Sequence, residues 1–342
     1  MTARRPRVLV VDDSAFARTV LARLLRATGE IDVIATARDG EDALERIASL
    51  DPDVVTLDLT MPNIDGIAVL RALGGRPRPR VIIVSISTID TEIGAEALAL
   101  GAIDLVAKPT ALANDRLKEI GSELIAKVIA AAAGLTAADA AIARIAPVAA
   151  PRAVRPAELI LIGTSTGGPQ ALTRVLSGLP AKLAAPIAMV LHIPVGYTAS
   201  LAQRLDKLSQ LEVVEAEDGM ALVPGRAVLA RGGIHLRVER AGTRLVARLS
   251  PAPVREFTPS VDELFTSGAI AARDRVLGVV LTGMGDDGLH GSRAIAGAGG
   301  ALLTEAAATC VVYGMPRCVY EAGLGAQEAP LDSMAQEIAK RA

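Results

Sequence analysis

Short, mostly apolar runs punctuate the chain, and many of them stop at a residue with chemistry to offer. In the first third they fall at residues 8–11, 32–35, 54–57, 81–85 and 104–107. Each is too short for a helix and too uniformly apolar for a strand with one wet face, so each reads as a strand buried on both faces. Segments with helical periodicity follow them, at 15–27, 41–49, 68–73, 93–100 and 115–133. Neighbouring parallel strands need a crossover, and a helix supplies it, so this alternation demands a doubly wound parallel sheet. Reactive groups in such a sheet collect at the carboxyl ends of the strands.

The pattern starts again at 159–162, 186–193 and 276–281, and 342 residues are enough for two domains with separate cores. Between the two sets, periodicity fades and prolines appear at 147, 151 and 156. We therefore expect a first domain over 1–130, an Ala/Pro-rich linker over 131–157 and a second domain over 158–342. With three Phe, three Tyr and no Trp, the cores must be built from Ala, Val, Leu and Ile. That leaves little for stacking on bases, and a net charge of −2 without long charged runs gives no reason to expect a nucleic-acid partner. The apolar run near the start is too short for a signal sequence. The Ala-rich stretch 128–150 is broken by Gly134, Asp139, Arg144 and Pro147, so no membrane insertion is expected. Cys310 and Cys318 show neither pairing nor metal-ligand spacing. These features predict a cytoplasmic protein.

In the first domain Asp12 and Asp13 follow the first strand, Asp58 the third, Ser85 ends the fourth and Lys108 follows the fifth. Any one aspartate there would serve as a helix cap. Gathered at one sheet end, carboxylates repel unless a cation joins them, and oxygen ligands of this kind suit Mg²⁺. The stretches Val-Val-Asp-Asp-Ser, Asp58-Leu-Thr-Met-Pro-Asn-Ile-Asp-Gly66, Ser85 and Lys108-Pro109 resemble the receiver domain of bacterial response regulators over residues 6–130. The resemblance implies phosphorylation of Asp58 by a histidine kinase, with Mg²⁺ held by Asp13 and Asp58 and supported by Asp12. Lys108 would pair with the phosphoryl group and Ser85 would close on it. Receivers usually carry an aromatic residue three before that lysine; here it is Leu105, which puts a swing of that side chain in doubt.

The second domain opens with Leu159–Ile162 and Gly163-Thr164-Ser165-Thr166-Gly167, a literal G-x-S-x-G pattern ahead of a helix. Taken alone it fits a serine nucleophile at a strand end or a phosphate-binding turn. Of three histidines, His192 ends a continuous apolar strand at the expected sheet end, which makes it the candidate base. His235 alternates with Arg237 and Glu239 and reads as a solvated strand residue, and His290 enters a helix from a Gly-rich turn. Runs 212–216, 226–230, 234–238 and 245–249 read as an antiparallel appendage. A helix over 261–273 opens with a capping box, Ser260 and Glu263, and shows Val261, Leu264, Phe265 and Ile270 as a core stripe. Run 276–281 ends in Thr282-Gly-Met-Gly-Asp-Asp-Gly288, where Asp286 and Asp287 compete to orient the histidine. The chain order Ser, His, Asp separates this domain from the α/β-hydrolases.

Ile-Gly-Thr-Ser-Thr-Gly-Gly-Pro, Leu-His-Ile-Pro-Val-Gly-Tyr-Thr, Pro-Ser-Val-Asp-Glu-Leu-Phe, Leu-Thr-Gly-Met-Gly-Asp-Asp-Gly and Val-Tyr-Gly-Met-Pro are similar to the chemotaxis protein-glutamate methylesterases (the CheB family). The resemblance implies an α/β architecture: a five-stranded receiver, a linker, and a methylesterase domain with a mainly parallel sheet and an antiparallel appendage. It implies Ser165 as nucleophile, His192 as base and Asp287, rather than Asp286, as the orienting acid, with Asp262 structural. Backbone N–H groups of Thr166 and the Met284 loop are the expected oxyanion donors. The implied substrates are γ-glutamyl methyl esters and particular glutamines on the cytoplasmic helices of chemoreceptors, met in an open groove that the receiver covers until Asp58 is phosphorylated. A receiver-gated esterase of small molecules, and a nucleotide-binding module built on the Gly-rich turn, are the competing readings; the latter lacks a Gly-x-x-x-x-Gly-Lys pattern.

Overall fold

The computed structural model describes residues 4–74, 78–86, 91–108, 114–140 and 155–342. The chain divides into two compact units, Met1–Thr136 and Ala137–Ala342. Linker residues 141–154, with Pro147 and Pro151, lie outside the described residues.

The first unit runs β1 (Arg7–Val11), α1 (Ala15–Ala27), β2 (Asp32–Ala37), α2 (Gly40–Leu50), β3 (Val54–Leu57), α3 (Gly66–Leu73), β4 (Arg80–Ile86), α4 (Thr91–Ala99), β5 (Asp104–Lys108) and α5 (Asn114–Ala140). Its sheet is parallel in the order β2-β1-β3-β4-β5, and Val11 stands opposite Leu57. Strand order reverses between β1 and β3, so the ends that carry Asp12, Asp13 and Asp58 are neighbours. Ser14, Asp39 and Asp65 cap α1, α2 and α3 by accepting the backbone N–H three residues on. Such a cap stabilises a helix by about 1 kcal/mol. Helix α5 reaches Ala140, beyond the point where its apolar periodicity fades, because alanine sustains a helix without any apolar stripe.

The second unit comprises β6 (Leu159–Thr164), α6 (Gly168–Gly178), β7 (Ile187–Leu191), α7 (Thr198–Leu208), β8 (Glu212–Glu215), β9 (Ala221–Leu222), β10 (Arg226–Leu229), β11 (His235–Ala241) and β12 (Arg244–Ser250). It continues with α8 (Val261–Ala272), β13 (Val276–Val280), α9 (Leu289–Gly297), β14 (Ala301–Glu305), α10 (Met315–Glu321), β15 (Gln327–Ala329) and α11 (Leu331–Ala339). A parallel seven-stranded sheet has the order β15-β14-β13-β6-β7-β10-β8. Alternation along β6 builds both of its cores. Ile160 and Ile162 pack with Leu172, Val175 and Ile338 on one face, and Leu159 and Leu161 with Val261, Leu264 and Phe265 on the other.

Three expectations need correction. The antiparallel sheet, in the order β11-β12-β9, is smaller than the sequence suggested, because β8 and β10 join the parallel sheet. Ala227-Val228-Leu229 is buried on both faces between β7 and β8, as an interior parallel strand requires. Ile270 is 72% exposed and not part of the core stripe. At about 100° per residue it lies on the face of α8 opposite Val261. His235 is fully buried rather than solvated, for a reason that belongs to the site.

Candidate active site

Strands β13, β6 and β7 are consecutive in the sheet, so the segments leaving them converge. Ser165 follows β6 in a tight turn that closes with the Gly168 N–H on the Ser165 carbonyl at 2.7 Å. Two bonds tie this turn to the end of β13: Ser165 N–H and the Thr164 hydroxyl both donate to the Thr282 carbonyl, at 3.1 and 2.7 Å. The Thr282 hydroxyl donates back to the Thr166 carbonyl at 2.9 Å. Gly283 is closely packed here: a Cβ would stand 2.3 Å from Met315 Sδ and 3.0 Å from Ser165 Cβ, so a side chain would press on both. The absence of a side chain there lets the Asp287 loop pass close against the serine turn.

His192 follows β7, and its backbone N–H donates to the Thr164 carbonyl at 3.1 Å. Its Nε2 meets Asp287 Oδ2 at 2.8 Å, while Nδ1 is buried without a hydrogen-bond partner. An ionised carboxylate only accepts, so Nε2 carries the proton and Nδ1 has a free lone pair. No hydrogen bond joins Nδ1 to Ser165 in this state. Such a link is often long in the free enzyme and tightens when substrate is bound. Phe257 lies flat on the imidazole, with centroids 4.2 Å apart and planes 6° from parallel, and fixes the ring plane.

Asp287 is held by more than the histidine. Oδ2 also accepts from Val261 N–H at 2.7 Å, and Oδ1 accepts from the Ser260 hydroxyl and Asp262 N–H, each at 2.9 Å. The carboxylate thus sits on the N-terminus of α8, where the free N–H groups and the helix dipole favour negative charge. Burial opposes ionisation, but the His192 bond and charge and the backbone N–H groups of Asp262 and Val261 outweigh it and hold the carboxyl below its ordinary range. Asp286 is exposed. Asp262 accepts from Gly288 and Gly291 N–H at 2.9 and 2.7 Å, tying the Asp287 loop to α8, and burial and Asp287 push its pKa up. A cavity of about 550 Å³ elsewhere in the unit is lined by Arg237, Arg240 and Arg248, all engaged in ion pairs, and by none of Ser165, His192 or Asp287.

In the first unit, Asp12, Asp13 and Asp58 bring carboxylate oxygens within 4.8 Å of one another. Lys108 Nζ donates to Asp12 Oδ2 at 2.5 Å and to Asp58 Oδ2 at 2.6 Å. Asp58 is 7% exposed, and burial followed by the Asp12 charge raises its pKa against the pull of Lys108. Ser85 is buried at the end of β4, and Leu105 is buried in β5. Three hard oxygen donors, two of them buried and only partly neutralised by one lysine, fit a small divalent cation.

Residues 160–338 match the model of the CheB methylesterase domain, and residues 8–120 match the response regulator receiver domain. A protein from Myxococcus xanthus named protein-glutamate methylesterase/protein-glutamine glutaminase 5 is 54% identical over 342 residues, spanning 98% of this chain and 97% of that one. The chain belongs to the CheB methylesterase family. A relative of the same activity name from Symbiobacterium thermophilum is 44% identical over 98% of this chain and 97% of its own. The crystal structure of the Thermotoga maritima CheB methylesterase catalytic domain matches with a TM-score of 0.53 at 36% identity, covering 54% of this chain and 98% of that one.

The CheB-family motifs include Ser165, His192 and Asp287, but the contacts that hold them are not written in the motifs. Phe257 carries no sequence signal, since a lone aromatic before Thr-Pro suggests only a loop. Ser260 was legible as a helix cap, and its bond to Asp287 was not. His235 is enclosed because segment 251–260 folds over its end of β11: Nε2 donates to the Pro253 carbonyl at 2.9 Å and Nδ1 accepts Ser260 N–H at 3.1 Å. It thereby anchors the segment that supplies both Phe257 and Ser260. His290 is exposed on α9. Glu305, at the end of β14, escaped notice because neither strand nor motif drew attention to it.

Proposed function

We propose that the second unit hydrolyses γ-glutamyl methyl esters, and deamidates particular glutamines, on chemoreceptor cytoplasmic helices, under the control of phosphorylation at Asp58. The observation that carries the chemistry is the His192–Asp287 pair, with its second ring nitrogen buried and unpaired and its backbone bonded to the residue before Ser165. Ser165 Oγ attacks the ester carbonyl carbon while His192 Nδ1 takes its proton. Asp287 stabilises the imidazolium that forms. His192 then gives the proton to the departing methoxide, methanol leaves, and a Ser165 acyl ester remains. Water, deprotonated by His192, attacks this ester and releases the glutamate carboxylate and the serine. With a glutamine side chain the leaving group is ammonia and the steps are the same.

Backbone N–H groups of Thr166 and the Met284 loop are the oxyanion donors in this reading, and losing one such donor typically costs about 3 kcal/mol of barrier. At the receiver, Asp12, Asp13 and Asp58 would hold Mg²⁺, which when bound neutralises charge on a phosphoryl group. Lys108 pairs with that group and Ser85 contacts it. Phosphate comes from a chemotaxis histidine kinase, and the reaction belongs in the cytoplasm. In keeping with this, no described helix is long and apolar enough to cross a membrane.

Ser165→Ala is expected to abolish methanol release from methylated receptor membranes, with the thermal transition unchanged. Retained release would remove Ser165 from the mechanism.

A further inference from the structure

One carboxylate at a strand end of the catalytic sheet has no part in the mechanism above. Glu305 ends β14 and is fully buried. Its Oε2 accepts Thr282 N–H at 2.8 Å, and its Oε1 is buried without a hydrogen-bond partner. A group of this kind is costly to bury, so its place calls for a reason.

The reason lies in where β13 leaves the sheet. Register between β13 and β14 ends with Val280 opposite Thr304, and two residues later Thr282 N–H takes its acceptor from a side chain instead of the ladder. Thr282 is the residue that fixes the serine turn, through its carbonyl to Ser165 N–H and Thr164 Oγ1 and through its hydroxyl to Thr166. The same hydroxyl accepts Val312 N–H at 2.9 Å, so Thr282 joins three segments. Glu305 holds the one remaining backbone group of this hub, and the path from its carboxyl to the nucleophile passes through a single residue, Thr282.

We propose that Glu305 is a positioning residue for ester hydrolysis, setting the backbone of Thr282 and with it the placement of Ser165 relative to His192. This rests on the reading of Ser165 as nucleophile. The side chain works as an acceptor, so glutamine can replace it and leucine cannot.

The test uses the full chain with two readouts: methanol release from methylated receptor membranes, and the rate at which a fluorophosphonate labels Ser165, located by mass spectrometry. E305L is expected to lower kcat and the labelling rate by about 10- to 100-fold, the effect of a small misplacement of a reacting group, with KM within about twofold. E305Q is expected to keep both rates within about threefold of wild type, since its carbonyl still accepts Thr282 N–H. Unchanged rates in E305L, or equal losses in a folded E305Q, would overturn the proposal. If E305L does not fold, E305D takes its place, and an undiminished labelling rate there is equally fatal. A wild type that labels at Ser165 but releases no methanol would refute the ester reading alone, and labelling would still judge Glu305. A wild type that does not label at Ser165 would overturn both.

Discussion

At Asp287 every neighbour is a donor: His192 Nε2, Ser260 Oγ, and the N–H groups of Val261 and Asp262. An amide in that place would turn its NH₂ toward another donor, so Asp287→Asn is expected to lower kcat by roughly 10⁴-fold, as loss of the correct tautomer does elsewhere. Steady-state kinetics on methylated receptors would show it, and a loss under about tenfold would remove Asp287 from the orienting role. Glu305 offers a pH prediction of opposite sign from an ordinary paired carboxylate. Burial pushes it up from 4.5 to about 7, against the pull of the Thr282 N–H. The stability its protonated form confers is complete below about pH 4.5 and is lost as pH rises through about 7, roughly 3 kcal/mol in all. Calorimetry of wild type and Glu305→Gln should therefore diverge in favour of the variant as pH rises across that window, and a constant difference would refute it. Neither Glu305 nor His235 was legible in the sequence. Alternation assigns His235 to a face with Arg237 and Glu239 but does not tell that segment 251–260 covers only the His235 end.

The elements were easier to read, because their signals are local. Helix α1 falls where periodicity places it, and α8 begins where Ser260 and Glu263 predict. What remained hidden was pairing: β8 and β10 read as short strands like β11 and β12, and only the partner strand decides between parallel sheet and appendage. The N-terminus of α8 is where secondary structure and chemistry meet, since it binds the Asp287 carboxylate. Ser260 both caps the helix, accepting Glu263 N–H at 3.4 Å, and donates to Asp287. Ser260→Ala is expected to destabilise the second unit by about 1 kcal/mol, the usual cost of a lost cap. It also removes one of the bonds that fix the Asp287 carboxylate in place, so kcat is expected to fall by about three- to tenfold with KM unchanged. Denaturant melts and kinetics on one preparation decide the matter, and a stability loss with full kcat would confine Ser260 to capping.

At the scale of the molecule, the chain joins two units of similar design, each with its polar groups at a strand-order reversal of a parallel sheet. That much follows from alternating strands and helices, because separate strand ends must meet wherever the order reverses. Regulation is the property of the whole chain, and its physical basis in the first unit is a charge imbalance. Asp12 and Asp58 share Lys108, and Asp13 adds a third carboxylate within the same 4.8 Å cluster. In the proposed reading a phosphoryl group on Asp58 adds further negative charge, so the phosphorylated state is expected to need a divalent cation. Two separable losses follow for the methylesterase reading. Asp58→Asn is expected to leave basal methanol release unchanged and to abolish its stimulation by a small-molecule phosphodonor. Removing Mg²⁺ with a chelator is expected to do the same to the wild type, because the proposed triad uses no metal. Leu105 is buried in β5 where receivers usually carry an aromatic switch, which puts a swing of that side chain in doubt as the signal path. Leu105→Tyr then tests whether the position is silent. Unaltered stimulation supports a path through Ser85 and Lys108 alone, whereas a severalfold gain would show that position 105 still carries the signal.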